Sequence, residues 1–332
     1  MFQQSVRTAS WVALPLSVAL VTGFSPTAQA ASFGVADDYN VFVFGDMTQS
    51  SDAEGRVAVG GNATFTNFGI GDRLPNSNGA DTRLVVGGDL TYNGGQVFGG
   101  GAVVGGQVNT NVFFNCTPNC GVTQGNPIDF QGARSYLTGL SSHIGSFTPT
   151  GTTEYKWGGI WLQGSNADLN VFTIDGSQFG GSSYLNLNNV GNSSTVVFNI
   201  LGETVNIANF GLNLNGLDKS KVLFNFVEAT QVQTTGFSFA GSVLATYADF
   251  SFNNGNVEGQ FIANSVAGSG EFHNIKFNGD LPEYVPPTPE PEPPATDPEP
   301  NPDPVAVPEP TALAGLGVVA ASLWTRRRRV NV

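Results

Sequence analysis

Short runs of apolar residues, separated by Gly and Asn, recur along most of this chain. Three of the runs end in the same tripeptide, Val-Gly-Gly, with first glycines at Gly60, Gly87 and Gly105. Further along, the segment 222–226 places bulky apolar residues at alternate positions, and Phe250 and Phe252 flank a serine. Alternation of this kind turns one side of a strand toward a core. The pattern therefore predicts a chain of many short strands.

The repeat spacing bears on three explanations for the glycine pairs: a repeating fold, a phosphate-binding loop or low-complexity filler. Gly87 follows Gly60 by 27 positions, and Gly105 follows Gly87 by 18. Such spacings are typical of successive coils of a solenoid, in which short strands stack. A phosphate loop needs Lys and then Ser or Thr after the glycines, and neither follows here. We expect these glycines at coil corners, where Gly adopts positive φ without penalty.

Asparagine is frequent in the same region and suits a coiled architecture. Asn tolerates left-handed turns, and its amides can stack in hydrogen-bonded ladders between coils. Ordinary loop positions in a β protein are the alternative. The residues concerned are Asn186, Asn188, Asn189, Asn192, Asn213 and Asn215.

One segment has helical periodicity. Five apolar residues recur at steps of three and four, so they share one helix face: Phe130, Ala133, Leu137, Leu140 and Ile144. Asn126 is the expected N-cap, Pro127 suits the first turn, and Gly145 ends the helix. The helix is expected to lie along the β body and cover apolar surface. His143 falls outside the apolar stripe and is expected to be solvated.

Composition narrows the class of partner. The chain has 43 Gly and 25 Phe, only 12% charged residues, and a net charge of −13. Arg7 and four arginines near the C-terminus account for 5 of the 13 basic residues, which leaves 8 between them against 26 acidic residues. Nucleic-acid binding needs clustered Lys and Arg, so no nucleic-acid partner is expected. The apolar fraction of 40% is sufficient for a folded core.

The first 30 residues have the features of a secretory signal peptide. An early arginine precedes an apolar run from Trp11 to Val21, and Ala28-Gln29-Ala30 precedes the next segment. The pattern predicts cleavage after Ala30, with Ala28 and Ala30 as the small residues of the site. A membrane-spanning helix is the alternative, but the run is too short for one.

Residues 283–306 are expected to form an acidic, disordered linker rich in proline. From Glu283 to Pro310 there are 12 Pro and 7 acidic residues. Such a stretch favours an extended polyproline conformation and cannot build a core. The linker would hold residues 31–282, the expected β domain, away from the cell envelope.

The last segment, residues 307–332, has three parts in a fixed order. They are the tetrapeptide Val307, Pro308, Glu309 and Pro310, then a short apolar run, and then Arg326, Arg327, Arg328 and Arg329. This order resembles the PEP-CTERM sorting sequence of exopolysaccharide-producing bacteria. The resemblance implies transient insertion of a short C-terminal helix into the inner membrane and cleavage by an exosortase near the motif. A plain C-terminal anchor is the alternative.

The two cysteines, Cys116 and Cys120, are expected to form a disulfide in an exported protein. A zinc site needs more ligands, and the only histidines are His143 and His273. Neither a metal site nor a cofactor is predicted. Free thiols are the remaining alternative.

Catalytic patterns are weak. Glu258 and Glu271 could act as a glycosidase pair only if the fold fixed their separation. On a strand, Glu271 and His273 would face the same side and could pair by a hydrogen bond. Calcium binding stays open for a group of acidic residues: Asp37, Asp38, Asp46, Asp52 and Glu54.

The body resembles the choice-of-anchor A family over nearly all of residues 32–282. The matching segments are Asp52–Arg56 with Val59-Gly60-Gly61, Val86-Gly87-Gly88, and Gly270–Asn274. One departure is Leu244-Ala245-Thr246-Tyr247, where the family usually has Leu-Ala-Pro. The family is similar to ice-binding-like adhesive domains. The resemblance implies a mainly β fold, a right-handed parallel β-solenoid with one long α-helix packed alongside.

These observations predict an exported, exosortase-sorted protein of the cell surface or extracellular matrix. We expect a non-enzymatic, adhesin-like module that binds exopolysaccharide or another surface ligand. One alternative is an ice-binding protein, but a flat ice-binding face needs rows of Thr, and along the chain only Thr64 and Thr66 make a short pair. The other alternative is a polysaccharide-degrading enzyme. The few basic residues argue against it, because an enzyme that cleaves an acidic polysaccharide needs Lys or Arg near its substrate.

Overall fold

A computed structural model describes residues 31–287 of the chain. The expected signal peptide, the sorting motif, the basic tail and the linker beyond residue 287 lie outside the described residues. Within the described part there are two α-helices, α1 (Phe130–Gly145) and α2 (Gln178–Gly181), and two 3-10 turns, Gly34–Asp38 and Lys219–Lys221. Neither α-helix is long and apolar enough to cross a membrane.

The remainder is built from strands in two sheets, one of 18 strands and one of four. The larger sheet contains β1 (Val41–Val43), β2 (Met47–Gln49), β3 (Asp52–Ala53), β4 (Val57–Val59), β5 (Ala63–Ile70), β6 (Thr82–Val86), β7 (Leu90–Val97), β8 (Gly101–Val104), β9 (Val122–Gln124), β12 (Leu169–Asp175), β14 (Thr195–Leu201), β15 (Thr204–Ala208), β17 (Val222–Phe226), β18 (Gln231–Thr235), β19 (Ser242–Asn253), β20 (Asn256–Glu258), β21 (Phe261–Gly268) and β22 (Glu271–His273). The smaller sheet contains β10 (Thr152–Lys156), β11 (Gly159–Gln163), β13 (Tyr184–Asn188) and β16 (Gly211–Asn213).

The strands stack as coils, and all pairings are parallel except that of β10 with β11. Three ladders run through the larger sheet. The helix face consists of β12, β14, β17, β19, β21, β1, β4, β6, β8 and β9. The open face consists of β15, β18, β2, the first parts of β5 and β7, and the second parts of β19 and β21. The third face consists of β20, β22, β3 and the ends of β5 and β7. The prediction of a mainly β, parallel solenoid with one long helix is confirmed.

The chain enters the solenoid at its middle. β1 pairs with β4 on one side and with β21 on the other, where Val41 lies opposite Phe261. Coils therefore build outward from β1 to β9, and after α1 a second set builds from β12 back to β21. We call the junction of β1 with β21 the seam. Asn40 ties it by donating to the carbonyls of Gly259 at 3.0 Å and His273 at 2.9 Å.

The Val-Gly-Gly segments lie where each coil turns from the helix face to the open face. Gly87 N donates to Val59 O at 2.7 Å, and Gly105 N donates to Val86 O at 2.7 Å. A Cβ on Gly87 would lie 2.4 Å from Gly60 O, and a Cβ on Gly105 would lie 2.4 Å from Gly87 O. None of these glycines has a positive φ. The corner position is confirmed, but the reason given for it is wrong: glycine is needed because the backbones of adjacent coils approach too closely for a side chain.

The difference between the 27-residue and 18-residue spacings comes from an inserted loop, 71–81. The Arg83 side chain, only 1% exposed, fastens this loop through its Nε, 3.0 Å from Asp81 Oδ1. Arg56 approaches the other carboxylate oxygen at 2.8 Å. Burial alone would raise the pKa of Asp81, but hydrogen bonds from Ser77 and Arg56 and the charge of Arg83 lower it overall. One coil is therefore longer, and β6 stays paired with β4 and β8, with one register shift between Thr82 and Leu84.

Inward side chains form a continuous core rich in phenylalanine. Ring centroids of Phe198 and Phe224 are 5.0 Å apart, and those of Phe250 and Phe261 are also 5.0 Å apart. Phe250 and Phe252 point inward while Ser251 is exposed, as the alternation predicts. Burying one such ring stabilises the fold by about 1.5–3 kcal/mol.

Helix α1 covers the outer side of the helix face. Leu137, Leu140 and Ile144 are fully buried in a second cluster that includes outward side chains of the strands, such as Leu223 and Ile262. Every residue of β17 is therefore buried. The alternation in this segment predicted one buried side. The second is buried because the helix lies over it.

Polar side chains beneath α1 fix its position. Asn225 Nδ2 donates to Ser141 O at 3.0 Å, and Ser141 Oγ donates to Asn225 Oδ1 at 2.6 Å. Asn199 Nδ2 donates to Ile144 O at 2.9 Å, and its own Oδ1 accepts from Asn225 at 2.8 Å. Because buried amides must be paired, only one placement of the helix satisfies these groups.

The start of α1 differs from the prediction. Asp129, and not Asn126, is the N-cap, and its Oδ1 accepts from Gly132 N at 2.9 Å. The preceding residues are not helical because Ile128 is buried against the body, which draws the chain out of a helical path. His143 is half-buried, with its ring 5.1 Å from Phe147 and 5.4 Å from Tyr284, so the expectation of a solvated side chain is also wrong.

Asparagines occupy turns and ladders in the second set of coils. Asn213 Nδ2 donates to Asn186 Oδ1 at 2.7 Å, and Asn215 Nδ2 donates to Asn188 Oδ1 at 3.3 Å. Asn189 and Asn215 have φ of 52° and 53°. Both roles proposed for Asn therefore occur.

Candidate functional site

The open face carries three parallel rows of outward side chains. Strands β15 and β18 alternate strictly between exposed and buried residues, so every second side chain points outward. The register aligns these side chains on neighbouring strands about 4.8 Å apart. The central row reads Asn206, Gln233, Ser251, Ala267, Thr48, Thr64, Thr91 and Asn109.

Three threonines stand side by side in the central row. Thr48 pairs with Thr64, and Thr64 pairs with Thr91. Asn109 extends the row by donating to Thr91 Oγ1 at 3.2 Å. The expectation that no threonine row follows Thr64 and Thr66 is therefore wrong. The row is invisible along the chain because its members lie on different coils.

A second row is fixed by side chains that bond the backbone of the next coil. Asn62 N donates to Asp46 Oδ1 at 2.7 Å, Asp89 N donates to Asn62 Oδ1 at 2.9 Å, and Gln107 N donates to Asp89 Oδ1 at 2.7 Å. Asn62, Asp89 and Gln107 each directly follow a Val-Gly-Gly corner. Each corner therefore fixes both the turn of the chain and the spacing of the side chains in this second row.

In the part of the chain that the structure describes, the middle of the open face carries no charged side chain. The central row has none, and neither do Ala208, Thr235, Asn253, Thr66 and Asn93 in the row beyond it. Carboxylates lie along the other edge, where Asp249 Oδ1 accepts from Asn264 at 2.6 Å and from Ser265 at 2.5 Å. The face offers hydroxyls and amides at regular intervals on a rigid sheet. Such a surface can bind an extended, hydroxyl-rich ligand by many weak hydrogen bonds.

Glu258, Glu271 and His273 come together on the third face. His273 Nε2 lies 3.6 Å from Glu271 Oε2, and His273 Nδ1 lies 3.9 Å from Glu258 Oε1. Glu258 also forms an ion pair with Lys219. The predicted same-side placement of Glu271 and His273 is confirmed. Both carboxylates contact one imidazole, which favours a structural tie between the last two coils.

The acidic residues considered for calcium do not gather at one point. Glu54 Oε2 accepts from Asn274 N at 2.9 Å, while Asp46 serves the corner row. Burial raises the pKa of Asp37, and burial followed by repulsion from Glu271 and Asp72 raises the pKa of Asp52. Across residues 31–287, no group of three or more His, Cys, Asp or Glu is placed to hold a metal.

Cys116 and Cys120 form a disulfide, with their Cα atoms 5.4 Å apart. It closes the short loop 116–120 within the segment between β8 and β9, next to the inserted loop, where a Cβ on Gly79 would meet Asn119 O. The signal cleavage residues Ala28 and Ala30, the motif 307–310 and the arginines 326–329 lie outside the described residues, and their roles stay predictions.

Comparison with known proteins identifies the family of this chain. A family model for an ice-binding-like adhesive domain matches residues 32–274. A search of curated proteins finds no match.

Three solved structures are similar, all at low identity. The ice-binding protein of the Antarctic ascomycete Antarctomyces psychrotrophicus is 11% identical, with coverage of 77% of this chain and 100% of that one and a TM-score of 0.34. The glycosylated ice-binding protein of an Arctic yeast is 13% identical, with coverage of 79% and 97% and a TM-score of 0.38. An ice-binding protein of an Antarctic Flavobacteriaceae bacterium is 11% identical, with coverage of 72% and 80% and a TM-score of 0.31.

The family match spans well over half of the chain. The chain belongs to the family of ice-binding-like adhesive domains.

Proposed function

We propose that this protein is a non-enzymatic adhesive module of the cell surface or extracellular matrix, and that its open face binds exopolysaccharide. The observation that carries the proposal is the uncharged central row, eight residues long, on a rigid parallel sheet. Many weak, evenly spaced hydrogen bonds suit a repeating polymer better than a small molecule. Membership of an adhesive family supports the same role.

Export and sorting complete the proposal. Cleavage after Ala30 would release the chain outside the cytoplasm, and an exosortase would cut near Val307–Pro310. The mature protein would then lack Trp324 and Arg326–Arg329. Intact mass of protein recovered from the surface of producing cells tests this. Recovery of the complete tail would refute exosortase processing.

The adhesive role is tested by retention of the purified full chain on polysaccharide from the producing cells, with cross-linked dextran, an α-linked glucan, as the inert comparison and moderate salt throughout. Thr64→Arg should lower retention at least about tenfold, because one large charged side chain holds a flat ligand away from the row. Ser135→Arg adds the same charge to the exposed side of α1 and should leave retention unchanged. Equal retention of both variants would contradict a role for the open face. Soluble sugar released during the assay would indicate an enzyme.

Ice binding is the second candidate, and the Thr48–Thr64–Thr91 row favours it. Inhibition of ice recrystallisation by the same proteins separates the two functions. Activity of the wild type that Thr64→Arg abolishes would assign the face to ice. Retention on polysaccharide without such activity would assign it to the polymer.

A further inference from the structure

Among the large apolar residues that the structure describes, Trp157 has the most exposed side chain, at 77%. It lies in the two-residue turn between β10 and β11, where Lys156 pairs with Gly159. An indole in water gains nothing from the hydrophobic effect, and its exposure is informative where it belongs to a contiguous group of exposed apolar side chains.

The backbone at Trp157 is also unfavourable for its residue type. Its φ is 52°, and that of Gly158 is 71°, so both central turn residues are left-handed. Turns of this kind favour Asn followed by Gly. Eight non-glycine residues in residues 31–287 have positive φ, and the other seven are all asparagine. Trp157 is thus the one bulky residue held in this conformation, and strain of this sort is typical of functional positions.

Two further rings join Trp157 in what we call the aromatic platform: Trp157, Trp161 and Tyr184. The ring centroids of Trp157 and Trp161 are 5.5 Å apart, and those of Trp161 and Tyr184 are 5.7 Å apart. Both pairs meet edge to face, with ring planes at 87° and 84°, so Trp161 and Tyr184 support the exposed Trp157 ring, which is the one that can lie flat against a ligand. Gly159 is necessary to this arrangement, because a Cβ there would lie 2.5 Å from the Tyr184 ring.

Hydrogen bonds hold the platform rigid. Trp161 Nε1 donates to Lys156 O at 3.1 Å, and the Tyr184 hydroxyl donates to Trp157 O at 3.3 Å. Lys156 Nζ lies over both indoles, 4.9 Å from the Trp157 centroid and 5.8 Å from that of Trp161. The rings are therefore placed before any ligand arrives, which lowers the entropy lost on binding.

Polar groups and a shallow concavity border the platform. Beside Trp161 lies a cavity of about 200 Å³ lined by Glu154, Gln163 and Asn188 among others. This is smaller than the roughly 300–1,000 Å³ of pockets that enclose drug-sized ligands. Asn186 lies opposite Trp161 on the next strand and adds an amide. A flat apolar ring bordered by amides and a carboxylate matches a pyranose, which has a face of C–H groups and a rim of hydroxyls.

Charge decides which sugars fit. Lys156 beside the platform is ion-paired with Glu154, so among residues 31–287 its charge is offset where an acidic sugar would need it. The C–H face is flattest in β-linked glucose units, whose hydroxyls are all equatorial.

We propose that the aromatic platform is a second carbohydrate site, separate from the open face, which stacks on units of a neutral β-linked glucan. The proposal rests on the proposed polysaccharide-binding function but uses other residues, in the coils of the second set.

The test is affinity electrophoresis of the purified full chain in native gels containing a soluble mixed-linkage β-glucan, with alginate gels as the acidic comparison. The wild type should be retarded by β-glucan and not by alginate. Trp157→Ala should weaken the retardation at least about tenfold, since a central aromatic contact is lost. Tyr247→Ala removes another exposed aromatic side chain, 48% exposed, and should behave as the wild type.

Three results would overturn the proposal: no retardation of the wild type by β-glucan, equal retardation of Trp157→Ala, or stronger retardation by alginate. Thr64→Arg separates this proposal from the adhesive role of the open face. That variant should keep its β-glucan retardation and lose retention on the polysaccharide of the producing cells. If the wild type has one of these two properties and lacks the other, the proposal that predicts the missing property fails.

Discussion

At the scale of single residues, Trp157 is where stability and the proposed function conflict. A left-handed backbone costs an ordinary L-residue about 1–2 kcal/mol, whereas Asn tolerates it. Little is gained in return from burial, since the indole is 77% exposed.

Trp157→Asn should therefore raise the free energy of unfolding by about 1 kcal/mol while abolishing retardation by β-glucan. Chemical denaturation measures the first effect. Trp161→Asn is the control: this half-buried residue lies within a strand, so its loss should lower stability. A destabilised Trp157→Asn would show that the indole is retained for structural reasons.

At the scale of elements, the glycine corners impose the most stringent packing condition. Each corner stacks directly on the one before it, and a Cβ on Gly87 would meet Gly60 O at 2.4 Å. The backbone of the adjacent coil is held by ladder hydrogen bonds on both sides, so it cannot move away without a large cost in free energy.

Gly87→Ala should accordingly lower the free energy of unfolding by about 1–3 kcal/mol, the usual cost of overpacking. Gly180→Ala in α2 is a matched control, because nothing lies within 4 Å of the added methyl group. Thermal unfolding of the two variants makes the comparison. Equal stability would mean that the backbones of adjacent coils can separate enough at this corner to admit a methyl group.

How much of these elements the sequence reveals depends on whether the determining contacts are local. The coil corners and the apolar stripe of α1 follow from nearby residues and were predicted correctly. The start of α1 was not, because a tertiary contact at Ile128 overrides the local preference of Asn126 and Pro127. The threonine row was missed because its members are 16 and 27 positions apart, so irregular coil lengths conceal the register. The aromatic platform has a local trace in Trp157-Gly158-Gly159-Ile160-Trp161, but its third ring arrives from another coil.

At the scale of the whole molecule, the seam joins the two sets of coils into one structure. Asn40, 2% exposed, satisfies three backbone groups there, since its Oδ1 also accepts from Gly55 N at 3.1 Å. The two ends of the described body also meet, because Ala31 N donates to Leu281 O at 3.3 Å.

Asn40→Ala should lower the free energy of unfolding by about 3 kcal/mol or more, because each buried group left unpaired costs about 1–3 kcal/mol. Asn206→Ala on the exposed surface should change it by less than about 0.5 kcal/mol. Urea denaturation followed by fluorescence tests both. A mild effect at Asn40 would show that pairing of β1 with β21 suffices to hold the seam.

The seam also determines the order in which the molecule can fold. It unites residues far apart in the chain: Asn40 and Gly259 are 219 positions apart. Contacts between residues so far apart in the sequence form slowly, so one edge of β1 remains unpaired until the last coils have folded. That edge and the edge of β21 are complementary, and β21 of another molecule can satisfy β1 equally well. A high protein concentration during folding would therefore favour molecules that exchange halves, and a low concentration would favour closed monomers.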